Sequence, residues 1–289
     1  MQKKAENDAG LPLDIFSHPR LSEFGKLVYP VISRRSGGLS LGINLNPDRK
    51  CNFRCVYCQV DRTLPVPTIR FSTSQVEKEL KEWLRELSQS DWRYQGYPLR
   101  DIAIAGDGEP TCVEELPAIL KLLANVKRQY ATASCKLVLF TNGSEIDRAD
   151  LQEPLHLFFR QGGEIWCKLD SWSQESLLAI NRTRLSRERL IGNLIALGKR
   201  HPLVIQTCLF RWNGEECSTE KYRPYADQLR YLLSQGAQIK LLQLYTLARA
   251  PESRRAHPWP NEVMDRLAAF IGSRADVAIE VFYGQGEPD

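Results

Sequence analysis

The chain has 289 residues, 43% of them hydrophobic, with 39 Lys and Arg against 35 Asp and Glu and a net charge of +4. That length suits two domains or one α/β barrel, and no run of about 20 apolar residues is present to span a membrane. The small positive excess tolerates an acidic partner without demanding one, and it is weaker than the basic bias of nucleic-acid specialists.

The opening segment, Met1 to Gly10, is polar and lacks the apolar core of a signal peptide, so a cytoplasmic protein is expected. Residues 1–38 precede the first predicted strand and are expected as an extension on the folded body. Strands are predicted at Leu39–Leu45, Asp101–Ala105, Lys136–Thr141, Glu164–Leu169, Leu203–Phe210 and Ile239–Tyr245, with a further candidate at Val277–Phe282. They are rich in Val, Ile, Leu and Phe, as strands buried on both faces should be.

Helical patterns lie between them. Val76, Leu80, Leu84 and Leu87 recur at helical spacing behind Ser74 and Glu77, a capping-box pair. Val113, Leu116, Ile119, Leu120 and Leu123 follow Thr111. Leu190, Leu194 and Leu197 follow Ser186, and later patterns centre on Leu229 and Leu267. Strand–helix alternation repeated about six times implies a parallel sheet. Right-handed crossovers curl such a sheet into a barrel or a doubly wound fold. Residues 39–289 are expected to form that body, closed by a C-terminal cap.

Eight cysteines are present. Three of them, Cys51, Cys55 and Cys58, fall in the run Cys-Asn-Phe-Arg-Cys-Val-Tyr-Cys, directly after the first predicted strand. In a reducing compartment, close cysteines bind metal or do chemistry more often than they form disulfides. Three protein ligands around a centre that prefers four leave one position open, which points to chemistry. A distant fourth thiol such as Cys112 would instead close a zinc site, and an iron–sulfur electron-transfer module is a further alternative. Cys112, Cys135, Cys167, Cys208 and Cys217 are spread among apolar runs and read as small buried hydrophobes.

In parallel α/β folds, functional groups gather at the carboxyl ends of strands. The second predicted strand ends in Gly106-Asp107-Gly108-Glu109-Pro110, the third in Thr141-Asn142-Gly143. The fourth carries Lys168 and Asp170, and Arg249 follows the sixth. Glycines also make turns, and Lys with Asp can be a structural ion pair.

Together these segments resemble the radical S-adenosylmethionine superfamily. CxxxCxxC with an aromatic residue, Tyr57, before the last cysteine is similar to its signature. Gly-Asp-Gly-Glu-Pro resembles its glycine-glycine-glutamate motif, with Asp107 in place of a glycine. The resemblance covers roughly Leu39 to Arg249 and is closest to poorly characterised bacterial proteins that resemble wyosine-type tRNA base synthases.

That resemblance implies a partial (β/α)6 TIM-like barrel. It implies a 4Fe–4S cluster on Cys51, Cys55 and Cys58, and S-adenosylmethionine on the remaining iron. It places Tyr57 near the adenine and Gly106, Asp107 and Gly108 beside the methionine moiety. Glu109 would meet its amine or brace the loop, and Lys168 its carboxylate. Asp170 would meet ribose or pair with Lys168, and Arg249 the cofactor or an anionic substrate. Thr141 and Asn142 complete the expected cofactor wall. A small electron carrier of flavodoxin or ferredoxin type is the implied reductant. The substrate is open: RNA, a glycyl-radical protein or a small metabolite. Wyosine synthases carry cysteines ahead of the signature, and none precedes Cys51, so a single cluster is expected. Arg49 and Lys50, beside the cysteine run, are the basic pair expected to influence that cluster. Arg34 and Arg35 read as solvated surface.

Overall fold

The structure is a computed structural model and describes residues 26–66, 69–130, 134–251 and 253–284. Its strands are β1 (Val28–Ser33), β2 (Gly38–Ile43), β3 (Arg93–Tyr94), β4 (Tyr97–Ile104), β5 (Lys136–Thr141), β6 (Gly163–Lys168), β7 (Leu203–Cys208), β8 (Phe210–Trp212), β9 (Ile239–Tyr245), β10 (Ala256–Pro258) and β11 (Ile279–Phe282). Its helices are α1 (Thr73–Gln89), α2 (Leu116–Tyr130), α3 (Gln152–Arg160), the short α4 (Gln174–Ser176), α5 (Arg187–Arg200), α6 (Arg223–Ser234) and α7 (Asn261–Gly272).

One sheet runs in the order β1-β2-β4-β5-β6-β7-β9-β11, with β3 paired to β4 at its side. From β2 to β11 every neighbour on that path is parallel, and only β1 runs against its neighbour. This is the mostly parallel half-barrel that the strand–helix alternation implies.

Alternation within the strands explains the two layers. Leu41, Ile102, Leu137, Ile165, Ile205 and Leu244 face the helices and join the large outer core. Ala103, Val138, Trp166 and Val204 face the barrel interior and form a smaller cluster with Phe140 and Leu241. Both faces are buried, so the strands read as near-continuous apolar runs.

Within the segment expected as an extension, Val28–Ser33 forms a strand of the sheet. β1 pairs with β2 from Val28↔Ile43 to Ser33↔Gly38, so the expected boundary falls within a hairpin. Residues 1–25 lie outside the described residues. The buried Glu79 carboxylate of α1 accepts from the amides of Leu27 and Val28 at 2.8 and 2.9 Å, which anchors that strand's start.

Helix starts moved by small amounts. Ser72, not Ser74, caps α1 by accepting from Gln75 N. α2 begins at Leu116 rather than near Thr111, because Glu109 caps a separate 3-10 turn at Pro110–Cys112. Ser186 caps α5 as expected. After α4 the chain forms a π-helical turn, Leu177–Asn181, ended by Arg182 in the left-handed region at φ 49°.

Candidate functional site

The cysteine run follows β2 and is pinned from two sides. Arg54 N and Val56 N donate to the carbonyls of Asn181 and Ile180, each at 2.9 Å, so the loop docks on the π-helical turn. On the other side Asn52 donates to Ser144 Oγ at 2.7 Å and accepts from Asn142 Nδ2 at 2.9 Å.

Each cysteine sulfur then accepts one N–H. Phe53 N lies 3.4 Å from Cys51 Sγ, Asn181 Nδ2 3.3 Å from Cys55 Sγ, and Arg62 Nη1 3.7 Å from Cys58 Sγ. Burial pushes the Cys51 thiol up to about 11 and the Cys55 thiol up to about 12. Among the described residues, no three His, Cys, Asp or Glu side chains come close enough to hold a single metal ion.

The segment after β4 is locked to the loop after β2 by one side chain. Asn44, 1% exposed, donates from Nδ2 to Asp107 Oδ2 at 2.6 Å. Its Oδ1 accepts from Asp107 N at 3.1 Å and Asn46 N at 3.0 Å. The glycines permit this approach: a Cβ on Gly106 would sit 2.2 Å from Asn44 Oδ1, and one on Gly108 1.8 Å from the Lys50 carbonyl. Their missing Cβ atoms face Asn44, Asn46 and Lys50 in the segment between β2 and Cys51, while both glycines line the cavity in which sequence reasoning expected the cofactor.

Glu109 braces the loops after β4 and β5. Its Oε1 accepts from Thr111 N, Thr111 Oγ1 and Thr141 Oγ1, and its Oε2 from Asn142 N at 2.7 Å. Burial raises its pKa, and these donors pull it back. Thr141 Oγ1 also accepts from Gly143 N at 2.9 Å, which shapes the turn after β5.

Asp170, 5% exposed, takes the Tyr57 hydroxyl on Oδ2 and Cys208 N on Oδ1, the latter at 2.8 Å. Asn181 Nδ2 lies 3.5 Å from the same Oδ2. The alternative of an Asp170–Lys168 ion pair is not what forms. The Lys168 ammonium bonds the Tyr245 hydroxyl and lies 4.2 Å from the Tyr245 ring centroid and 5.4 Å from that of Tyr57. Burial lowers its pKa, opposed chiefly by Asp170.

A cavity of about 330 Å³ gathers most of these groups. Cys51, Cys55 and Cys58 share its wall with Tyr57, Gly106, Gly108 and Glu109, and with Thr141, Asn142, Lys168 and Arg249. Asp107 and Asp170 do not face it; they act from behind the wall. Asp170 faces a second, largely aromatic cavity of about 200 Å³, between Trp172, Phe210, Trp212 and Tyr225. Arg49 turns away from the cysteines: its Nη1 donates to the carbonyls of Leu64 and Pro65.

A model of the family described as the Radical SAM superfamily matches residues 45–218. The chain belongs to that superfamily. Curated relatives include a UPF0026 protein of Helicobacter pylori, 30% identical over 131 residues, or 45% of this chain and 38% of that one. Another is a UPF0026 protein of Methanocaldococcus jannaschii, 29% identical over 172 residues, or 58% and 48%. The chain thus spans about half the length, or less, of these curated relatives.

Among solved structures, a spore photoproduct lyase mutant aligns with a TM-score of 0.54 at 11% identity, covering 80% of this chain and 74% of that one. TYW1 with a lysine-pyruvate adduct aligns with a TM-score of 0.51 at 13% identity, covering 89% and 78%. Identities this low establish the radical SAM fold alone.

Asn181, Asn44 and Arg62 escaped sequence reasoning. Asn181 sits in an unforeseen π-helical turn. Asn44 reads as the end of an apolar strand. Arg62 lies four residues beyond the last cysteine, where only its spacing hinted at a contact.

Proposed function

We propose that this chain is a radical enzyme. Cys51, Cys55 and Cys58 hold one 4Fe–4S cluster, S-adenosylmethionine binds against it, and a substrate in the barrel gives up a hydrogen atom. When bound, the pair supplies one-electron cleavage of the C5′–S bond and a 5′-deoxyadenosyl radical.

The observation that carries this reading is the donor set. Three thiols share one cavity wall and each sulfur has its own N–H donor. Such donors favour thiolate and stabilise negative charge on an iron–sulfur centre. Spread along a wall, the three suit separate irons of a cluster better than one tetrahedral ion. Three of the other five cysteines, Cys135, Cys167 and Cys208, are buried in apolar packing, which supports a single cluster; Cys112 is exposed and Cys217 half-buried, so these two are not the buried hydrophobes expected from the sequence.

The protein's own residues hold and orient. Asn44 and Glu109 fix the loops after β4 and β5 against the cysteine loop. Asp170 fixes the Tyr57 ring beside the cysteines. Lys168 and Arg249 bring positive charge to the cavity wall for anionic groups of cofactor or substrate. Arg49, Lys50, Arg54, Arg62 and Arg70 line a broad surface groove together with Asp48, Glu114 and Glu115, and Lys50 pairs with Asp48, which leaves a modest basic excess for an acidic flavodoxin- or ferredoxin-type reductant. An RNA substrate draws support only from a likeness of fold, and the modest net charge adds none.

Anaerobic reconstitution with iron and sulfide tests this. A brown protein with broad visible absorption that forms 5′-deoxyadenosine on reduction is expected. A colourless protein with stoichiometric zinc and no cleavage would overturn the reading.

A further inference from the structure

Arg35 comes from the β1–β2 turn, at the rim of the barrel opposite the cysteine loop. Its side chain does not run out into solvent, as a basic pair on a turn usually does. It enters the same cavity, where its guanidinium carbon stands 5.2 Å from the Phe140 ring centroid and 5.1 Å from that of Tyr245. Lys168 approaches the same Tyr245 ring from β6, at 4.2 Å. Two cations therefore share one aromatic side chain inside the barrel.

Neither forms an ion pair among the described residues. The nearest carboxylates are engaged elsewhere: Asp101 accepts from Ser40 Oγ, and Asp170 from Tyr57 and Cys208 N. Arg35 has no hydrogen-bond acceptor among the described residues; two ring faces are its partners. Burial lowers its pKa to about 10, so it stays charged at neutral pH. Half-buried like charges without a counter-ion are unfavourable, and an anion between them relieves both. Two further buried polar atoms in this wall, Arg34 Nη1 and Gln206 Oε1, have no hydrogen-bond partner among the described residues. The first offers another donor, and the second asks the same ligand for a hydroxyl or N–H.

We infer that the barrel interior binds the carboxylate or phosphate group of a small substrate, held by Arg35, which reaches in from the far rim, with Lys168 beside it. The word substrate rests on the radical-enzyme reading; the anion site does not. The three cysteines and the Gly106–Glu109 loop lie at the carboxyl ends of the strands, where Lys168 and Tyr245 end β6 and β9. A ligand anchored between Arg35 and Lys168 therefore sits in the same cavity as the cysteines.

Isothermal titration of the anaerobically reconstituted protein with inorganic phosphate and, separately, with acetate tests the site. One of the two is expected to bind at a 1:1 ratio. Arg35→Gln should weaken it at least ten-fold and Arg35→Lys by less, with iron content and S-adenosylmethionine affinity unchanged in both. Binding of neither anion, or equal binding by wild type and Arg35→Gln, overturns the inference. So does a parallel loss of S-adenosylmethionine affinity, because the anion is then the cofactor's own carboxylate. If Arg35→Gln does not fold, Arg35→Lys decides, and unchanged affinity there is the overturning result. A wild-type protein that binds phosphate but releases no 5′-deoxyadenosine sinks the radical-enzyme reading and leaves the anion site standing.

Discussion

Arg62 reaches back along the chain to place Nη1 3.7 Å from the sulfur of Cys58. Its Nε meanwhile donates to the Arg49 carbonyl at 3.2 Å, which fixes the side chain in place. A positive charge at a ligand sulfur stabilises the reduced, more negative cluster. Arg62→Gln is predicted to bind the same amount of iron with a midpoint potential more negative by on the order of 60 mV, one tenfold step for a one-electron couple. Arg49→Gln should leave the potential in place, because its guanidinium serves the carbonyls of Leu64 and Pro65. A redox titration followed by electron paramagnetic resonance separates the two, and equal shifts would refute the assignment to Arg62.

Cys55 and Cys208 are both buried or nearly so, and they feel each other electrostatically. Their surroundings differ. Cys55 faces the main cavity and accepts from Asn181, whereas Cys208 ends β7 and packs with Val56, Phe210 and Leu247. Cys55→Ala is expected to lose the iron and all formation of 5′-deoxyadenosine while staying folded. Cys208→Ala should keep both, at a stability cost of about 1 kcal/mol for the lost packing. Iron content per folded protein is the measurement; a large loss in Cys208→Ala would end the single-cluster reading.

Much of this was legible in the sequence because it is periodic or local. The parallel strands came from apolar runs buried on both faces, and the cysteine spacing needs only a short loop. β1 was not legible: its pairing with β2 is set by a turn at 34–37 in which only Gly37 takes a positive φ. Arg35 was misjudged for the same reason. A basic pair on a turn reads as solvated, and only the curl of the sheet carries it inward to Phe140 and Tyr245. Asn44 and Glu109 show the other limit. Their types suggest polar strand ends, but which loops they join depends on which strands become neighbours.

The bonds of Asn44 make it a structural tie with a functional consequence. Asn44→Ala removes three hydrogen bonds and leaves the Asp107 carboxylate with fewer donors in a buried setting. A loss of about 2–3 kcal/mol follows from buried donors and acceptors left unmade. That corresponds to a fall in Tm of roughly 5–10 °C for a chain of this size. Because the Gly106–Glu109 segment loses its register against the cysteine loop, S-adenosylmethionine should also bind at least several-fold more weakly. Calorimetric melting and equilibrium binding on the reconstituted protein report the two effects. A normal Tm with weakened binding would move Asn44 from a structural tie to a direct cofactor contact.

Two glycines in this chain carry opposite expectations for the same change. A Cβ on Gly108 would meet the Lys50 carbonyl at 1.8 Å, a backbone atom that cannot swing aside. Gly108→Ala must therefore push the loop after β4 away from the cysteine loop. We expect a cost of about 2–4 kcal/mol, typical of strain against fixed backbone, and a clear loss of iron on reconstitution. Gly192 lies on the exposed face of α5 with nothing within 4 Å of a Cβ. Gly192→Ala should stabilise by about 0.5–1 kcal/mol, because alanine loses less backbone entropy in a helix. Melting temperatures for the pair, read beside iron content, give the comparison. If Gly108→Ala melts and loads iron like the wild type, the two loops do not touch as described, and the site built on their contact fails with them.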